Sequence, residues 1–244
     1  MALYRTDGIV LRTWDLGEAD RVAVILTEEE GKIPAVAKGA RRPRCRLRSV
    51  SQNFVLAHYL MYSGRSLDTI SQGELKSSFA PLRDELVKMA YASYMAELVD
   101  KFTVERAKAP EIFYLLLQVF DVASKHDYLE VIARWFEIRL MTLLGYSPHL
   151  DTCVRCGHTV NEGVFLPEDG GIAHSSCAPR AEYPLSQAAL ACMRSLASMS
   201  VLGVMNLRIS KQVELQMRLA LRAHIAQNLT SELKSLDFLL SVIG

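Results

Sequence analysis

The chain has 244 residues, half of them hydrophobic and 23% charged, which is material for one or two packed domains and excludes a chain disordered throughout. Its formal net charge of +1 excludes a globally basic nucleic-acid binder, so any electrostatic footprint must come from local clustering. Apolar runs such as Ile112 to Phe120 fall far short of the ~20 residues a bilayer helix needs, and Met1 to Asp7 meets charge before any apolar signal core, so a cytoplasmic protein with no membrane partner is expected.

Short β-prone runs follow one another through the first 80 residues: Gly8 to Leu11, Val22 to Leu26, Ile33 to Ala37, Phe54 to Tyr62 and Leu67 to Leu75. Charged or Gly-containing turns separate them, among them Glu28 to Lys32 and Ser63 to Ser66. Five short strands at fairly regular spacing predict a small all-β barrel of OB-fold size, and the count alone suits an SH3-like barrel equally.

Between the third and fourth runs the text turns basic. No acidic residue occurs from Gly31 to Leu67, and the core of the stretch holds Lys38, Arg41, Arg42, Arg44, Arg46 and Arg48. Gly39 and Pro43 predict a loop rather than a helix face, and one-signed charge at this density is not expected to find local partners. Arginine presents paired donors that match phosphate oxygens, and each neutralised phosphate releases condensed counterions, so these six residues are the candidate DNA-binding set. The plain alternative is solvated surface. Trp14, Phe54, Tyr59 and Tyr62 can each stack a base or fill the core.

Near Pro81 the pattern changes to helical spacing, with Leu82, Leu86, Met89, Tyr94, Leu98 and Phe102 on one stripe and Pro81 suited to a first turn. A second helix is predicted from Pro110, apolar nearly all round and therefore buried. A third is predicted from Asp127, with Glu130 three residues on as a capping box, ending at Gly145. Residues 150–180, rich in Gly and Pro (Pro179 included), interrupt the helices, which return with Ser186 and Ser210 as N-caps and close from Ser231 to Ile243. The organisation expected is α+β and multidomain: a β-barrel domain at 1–80 and an α-helical domain at 81–244 with an insertion at 150–180.

The insertion reads Cys153-Val154-Arg155-Cys156-Gly157 and later His174-Ser175-Ser176-Cys177. Two x-x pairs at this separation match a structural zinc pattern in which one cysteine position is a histidine. Cys153, Cys156, His174 and Cys177 are the candidate ligands of one zinc ion. His158 is a competing nitrogen, disfavoured by spacing, and buried thiols or a redox pair are the other readings. Gly157 falls where a knuckle turn needs positive φ, and Val164 to Leu166 with Ile172 and Ala173 predict a hairpin that joins the halves. Cys45 and Cys192 are read as bystanders, Cys192 as a small core residue on a helix. No H-x-E, H-E-x-x-H, G-x-x-x-x-G-K-[ST] or G-x-S-x-G occurs, so no enzyme class is expected.

Taken in order, the text resembles the RecO family of bacterial recombination mediators: Thr6-x-Gly8-Ile9-Val10-Leu11, Gly17 to Arg21, Thr27-x-x-x-Gly31-Lys32, Ala37 to Arg42 and Phe54, then Phe136-Glu137, Leu144-Gly145-Tyr146-x-Pro148, Leu150-x-x-Cys153-x-x-Cys156 and Ser235-x-x-Phe238-Leu239. The family's usual third cysteine is His174 here. The resemblance implies an N-terminal OB-fold, a helical domain and a zinc-binding insertion. It implies binding to single- and double-stranded DNA, annealing of complementary strands, and partnership with RecR and the C-terminal tail of single-strand-binding protein in loading RecA. A zinc-containing transcription regulator and an adaptor for an acidic protein tail are the other two readings.

Overall fold

The computed structural model describes residues 2–243 apart from 179 and 181, so Pro179 lies outside the described residues. Contacts group Met1–Asp127 with Leu233–Gly244, and Tyr128–Glu232 by themselves; the two units are described in turn.

The first unit is built on five strands, β1 (Leu3–Leu16), β2 (Asp20–Thr27), β3 (Gly31–Ala37), β4 (Leu56–Tyr62) and β5 (Asp68–Ser77). They close into a barrel in the order β1-β2-β3-β5-β4, with β4 returning to β1, which is the OB-like topology. The β3–β5 contact is parallel, through Ala35↔Asp68 and Val36↔Thr69, while its neighbours are antiparallel. Closure demands strong coiling, and irregularities in the pairing supply it between Val10 and Arg12 in β1 and at two points of the β4–β5 ladder.

Alternation then sorts the faces. Val10, Ala23, Ile25, Ala35, Ala37, Ala57, Tyr59, Met61 and Ile70 fill the barrel. The many alanines suit an interior this narrow, and a Cβ on Gly8 would come within 2.5 Å of Ile25. A single helical turn, α1 (Leu47–Val50), plugs one end. Its Val50 lies over Gly73, where a Cβ would approach to 2.7 Å, and the Tyr59 hydroxyl donates to the Val50 carbonyl at 2.7 Å.

Three helices follow, α2 (Pro81–Asp84), α3 (Leu86–Phe102) and α4 (Pro110–Lys125). The stripe predicted to be continuous from Leu82 to Phe102 is broken at Glu85, which is extended. α4 buries most of its circumference, as its nearly all-round apolar sequence predicts, and Glu111, Tyr114 and Gln118 form its one exposed edge. Single carboxylates tie barrel to helices. Asp100 on α3 pairs with Lys32 at 3.0 Å and with Arg12 at 2.6 Å. Asp68, fully buried, accepts from the Tyr4 hydroxyl, from the Gly64 N–H at 2.9 Å and from Arg106 at 2.6 Å.

The second unit opens with α5 (Leu129–Leu143). Its predicted capping box does not form: Asp127 lies before the N-cap residue Tyr128, which makes no side-chain cap, and Asp127 pairs with Lys88 instead. Its end is as predicted. Gly145 at φ +84° donates to Thr142 O, and Tyr146 to Met141 O, the two bonds of a Schellman stop. A small sheet ordered β7-β6-β8 follows, from β6 (Gly163–Leu166), β7 (Gly171–Ala173) and β8 (Tyr183–Leu185). Then come α6 (Gln187–Ser198), α7 (Val201–Asn206) and α8 (Lys211–Asn228), while α9 (Lys234–Ile243) belongs to the first unit and packs on α3. Ser186 and Ser210 cap α6 and α8 as predicted, accepting from Ala189 N and Val213 N, and Ser200 caps α7 in the same way. No helix among the described residues is long and apolar enough to cross a membrane.

Candidate metal centre and nucleic-acid interface

The metal-ligand candidates sit on two turns of the second unit. In the first, the Gly157 N–H donates to Cys153 O at 2.8 Å, a closure that requires the φ of +78° that Gly157 adopts. In the second, the Cys177 N–H donates to His174 O at 2.9 Å. The β6–β7 hairpin joins them: Val164 faces Ala173, and the Val154 N–H donates to Ile172 O at 2.9 Å, two residues before His174.

The ligand atoms of Cys153, Cys156, His174 and Cys177 consequently all lie within 4.8 Å of one another. His158, the competing nitrogen, is exposed and outside this cluster. The His174 Nε2 lies 3.2 Å from Thr159 O and its Nδ1 3.4 Å from Cys156 Sγ. A donor role for Nε2 leaves the Nδ1 lone pair aimed into the cluster, the usual arrangement of a metal-bound imidazole.

Electrostatics fit the same reading. Burial pushes the Cys153 thiol up, but backbone N–H groups of His174, Cys156 and Arg155 outweigh it and bring its pKa down to about 6. Cys177 is raised, by burial and then by the neighbouring Cys156 and Cys153. Three sulfurs so close cannot all ionise without a cation among them, and three thiolates with one imidazole are a donor set that holds a tetrahedral metal ion. One supporting residue carries no signature in the sequence. Arg194 on α6 donates to Leu150 O at 2.6 Å and to Val160 O at 2.7 Å, clamping both flanks of the Cys153 turn. Cys192, on the same helix, is buried, and Cys45 lies away from the cluster in the basic loop.

The basic stretch connects β3 to α1 and β4. From Lys38 to Arg46 it is a series of turns, as predicted, but Arg48 sits in the helical turn of α1. It is also held in place more firmly than its composition suggests. The Gly39 N–H donates to Asp20 Oδ1 at 2.7 Å, and the Arg41 N–H to Ala19 O at 3.0 Å. Arg41 itself pairs with Asp15 at 3.2 Å and donates to Gly17 O at 2.9 Å. The expectation that no local partner exists is thus corrected at Arg41, whose partner lies 26 residues earlier on β1. Lys38, Arg42, Arg44, Arg46 and Arg48 are exposed and without an ion pair among the described residues. The aromatic candidates divide. Phe54 and Tyr59 are 2% and 0% exposed and belong to the core, whereas Trp14 and Tyr62 are 41% and 42% exposed.

A closed five-stranded OB-like barrel with a basic loop at its β3–β4 connection, followed in the chain by helices and a Cys3His cluster, defines an OB-like-barrel protein with a cluster that could hold a metal ion. Two family models match it, Recombination protein O N terminal over residues 1–79 and Recombination protein O C terminal over residues 83–237. The chain belongs to the RecO family. The DNA repair protein RecO of Symbiobacterium thermophilum is 41% identical, over 98% of this chain and 97% of the relative. That of Pelotomaculum thermopropionicum is 35% identical, over 98% and 94%, and that of Bacillus pumilus 37%, over 79% and 76%.

Proposed function

We propose that the protein is a non-enzymatic DNA repair and recombination mediator, cytoplasmic and nucleoid-associated during repair. It binds single- and double-stranded DNA, anneals complementary strands, and acts with RecR and the C-terminal tail of single-strand-binding protein to load RecA. Residues 1–80 are its nucleic-acid-binding domain, and residues 81–244 its helical domain, with the metal insertion at 150–180.

One observation carries the DNA reading: Lys38, Arg42, Arg44, Arg46 and Arg48 project unpaired from a loop whose base is fixed to the β1–β2 turn. A preordered row of cations meets phosphates without first losing loop entropy, and it reads charge rather than sequence. Cys153, Cys156, His174 and Cys177 hold one structural zinc ion. Four protein donors fill a tetrahedron and leave no open position for a reacting group, which supports a structural ion and a protein without a catalytic centre there.

The test is a mobility-shift titration with random-sequence oligonucleotides, single- and double-stranded, alongside the annealing rate of labelled complementary strands. Both forms should shift, and annealing should accelerate. Strong preference for one duplex sequence would favour a regulator, and no shift at all an adaptor; either result overturns the mediator.

A further inference from the structure

The donors of the knuckle are unequally sheltered. Cys153 is the enclosed one: it is 2% exposed, the His174 N–H points at its sulfur at 3.5 Å, and the N–H groups of Cys156 and Arg155 donate to it as well. Cys156 and Cys177 are both exposed. They stand on different turns, Cys156 before the β6–β7 hairpin and Cys177 after it. Their sulfurs belong to the same cluster, within 4.8 Å, and a disulfide needs them to close to about 2 Å.

A thiolate that reacts with an oxidant must be reached by it, and N–H donation that stabilises the charge on a sulfur also lowers its nucleophilicity. Both conditions turn attack away from Cys153 and toward the exposed pair. Other bonds than those to an ion keep the two turns side by side. The Val154 N–H donates to Ile172 O at 2.9 Å, and Arg194 holds Leu150 O and Val160 O.

We propose that Cys156 and Cys177 are a peroxide-sensitive pair, which oxidise to an intramolecular disulfide and thereby end metal binding by the knuckle. One of the two sulfurs attacks an oxygen of hydrogen peroxide, forming a sulfenic acid and expelling hydroxide. The other thiolate attacks that sulfur, forming the S–S bond and expelling a second hydroxide. Two thiolates are oxidised and one peroxide is reduced. Cys153 and His174, the two donors left, are half of a tetrahedral set, so the stability of residues 128–232 answers to oxidant. This rests on the reading of the four residues as holding one zinc ion.

Trypsin distinguishes the possible pairs. Cleavage after Arg139, Arg155 and Arg180 leaves Cys153 on 140–155 and both Cys156 and Cys177 on 156–180. The zinc content of the whole protein, purified without chelator, is measured first, and zinc release in hydrogen peroxide is then followed with a chromogenic chelator. Remaining thiols are alkylated under denaturant before digestion and mass spectrometry. One zinc should leave per disulfide formed, with 156–180 two hydrogens lighter and unalkylated, and 140–155 separate and alkylated. Linkage of 140–155 to 156–180, release with sulfinic acids in place of a disulfide, or zinc retained in peroxide overturns the pair while the metal reading stands. If the protein holds no zinc at the outset, both proposals fall together.

Discussion

Asp100 shows how much of this fold hangs on single side chains. Burial raises its pKa, but the hydrogen bonds and charges of Arg12 and Lys32 outweigh this and hold the carboxyl below the usual range. A native pKa below the unfolded one gives stability that is complete above the unfolded value, near 3.8, and is lost as pH falls through the native value. Asp100→Asn leaves the buried Lys32 ammonium without its counter-charge, though still donating to the main-chain carbonyl of residue 100, and should cost about 2 kcal/mol at neutral pH, discounted because Arg12 is half exposed. Melting temperatures of variant and wild type should converge below that window; equal melting at pH 7 would show the ion pairs to be idle. None of this was legible in the sequence, because the partners lie 88 and 68 residues away. The metal ligands lie at the other extreme. Their x-x spacing marks them without any structure, since two side chains of one tight turn must point the same way. Cys156→Ser should lower metal content and thermal stability together, and a variant that melts like wild type while losing its metal would contradict a structural ion.

At the scale of elements, legibility followed period and punctuation. The β2 and β3 strands are legible nearly to their ends because Val22 to Leu26 and Ile33 to Ala37 are uninterrupted apolar runs bounded by charged or Gly-containing turns. β1 was read as Gly8 to Leu11, yet it runs from Leu3 to Leu16; its ends carry Arg5, Asp7, Arg12 and Asp15, whose polar side chains hide strand pairing that the barrel supplies. β8 was missed because three residues make no pattern, and Tyr183–Leu185 is a strand only because β6 lies beside it. The capping box at Asp127 failed for a related reason: Lys88 competes for the carboxylate. The basic loop was legible as a charge run, but not its anchoring through Asp15 and Asp20. That anchoring decides which variant is informative. Arg42, Arg44, Arg46 and Arg48 changed together to Ala should leave the fold intact, since all four are exposed, and should weaken DNA binding by well over tenfold at moderate salt. Arg41 is left in place because it pairs with Asp15 and donates to Gly17 O. A folded quadruple variant that binds like wild type would put the DNA path elsewhere.

For the whole molecule, the two candidate sites fall in different compact units: the basic loop in the first, the metal cluster in the second. Within the knuckle, Arg155 is already paired with Asp169 at 2.7 Å, and Glu162 and Glu168 add negative charge, so this segment is poorly suited to a phosphate backbone. Prolonged chelation should therefore lower the thermal transition of residues 128–232 while oligonucleotide affinity stays nearly unchanged. Affinity lost in step with the metal would tie the knuckle to DNA directly. The central claim is that the β3–β4 loop is the electrostatic DNA interface, and it is tested most directly by the salt dependence of binding to a random-sequence single strand, measured by fluorescence anisotropy for wild type and for the quadruple arginine variant. The account predicts a linear fall of log affinity with log salt in wild type, at about −0.7 per contacted phosphate, and a clearly shallower slope in the variant. Identical slopes, or a flat response in wild type, would contradict it.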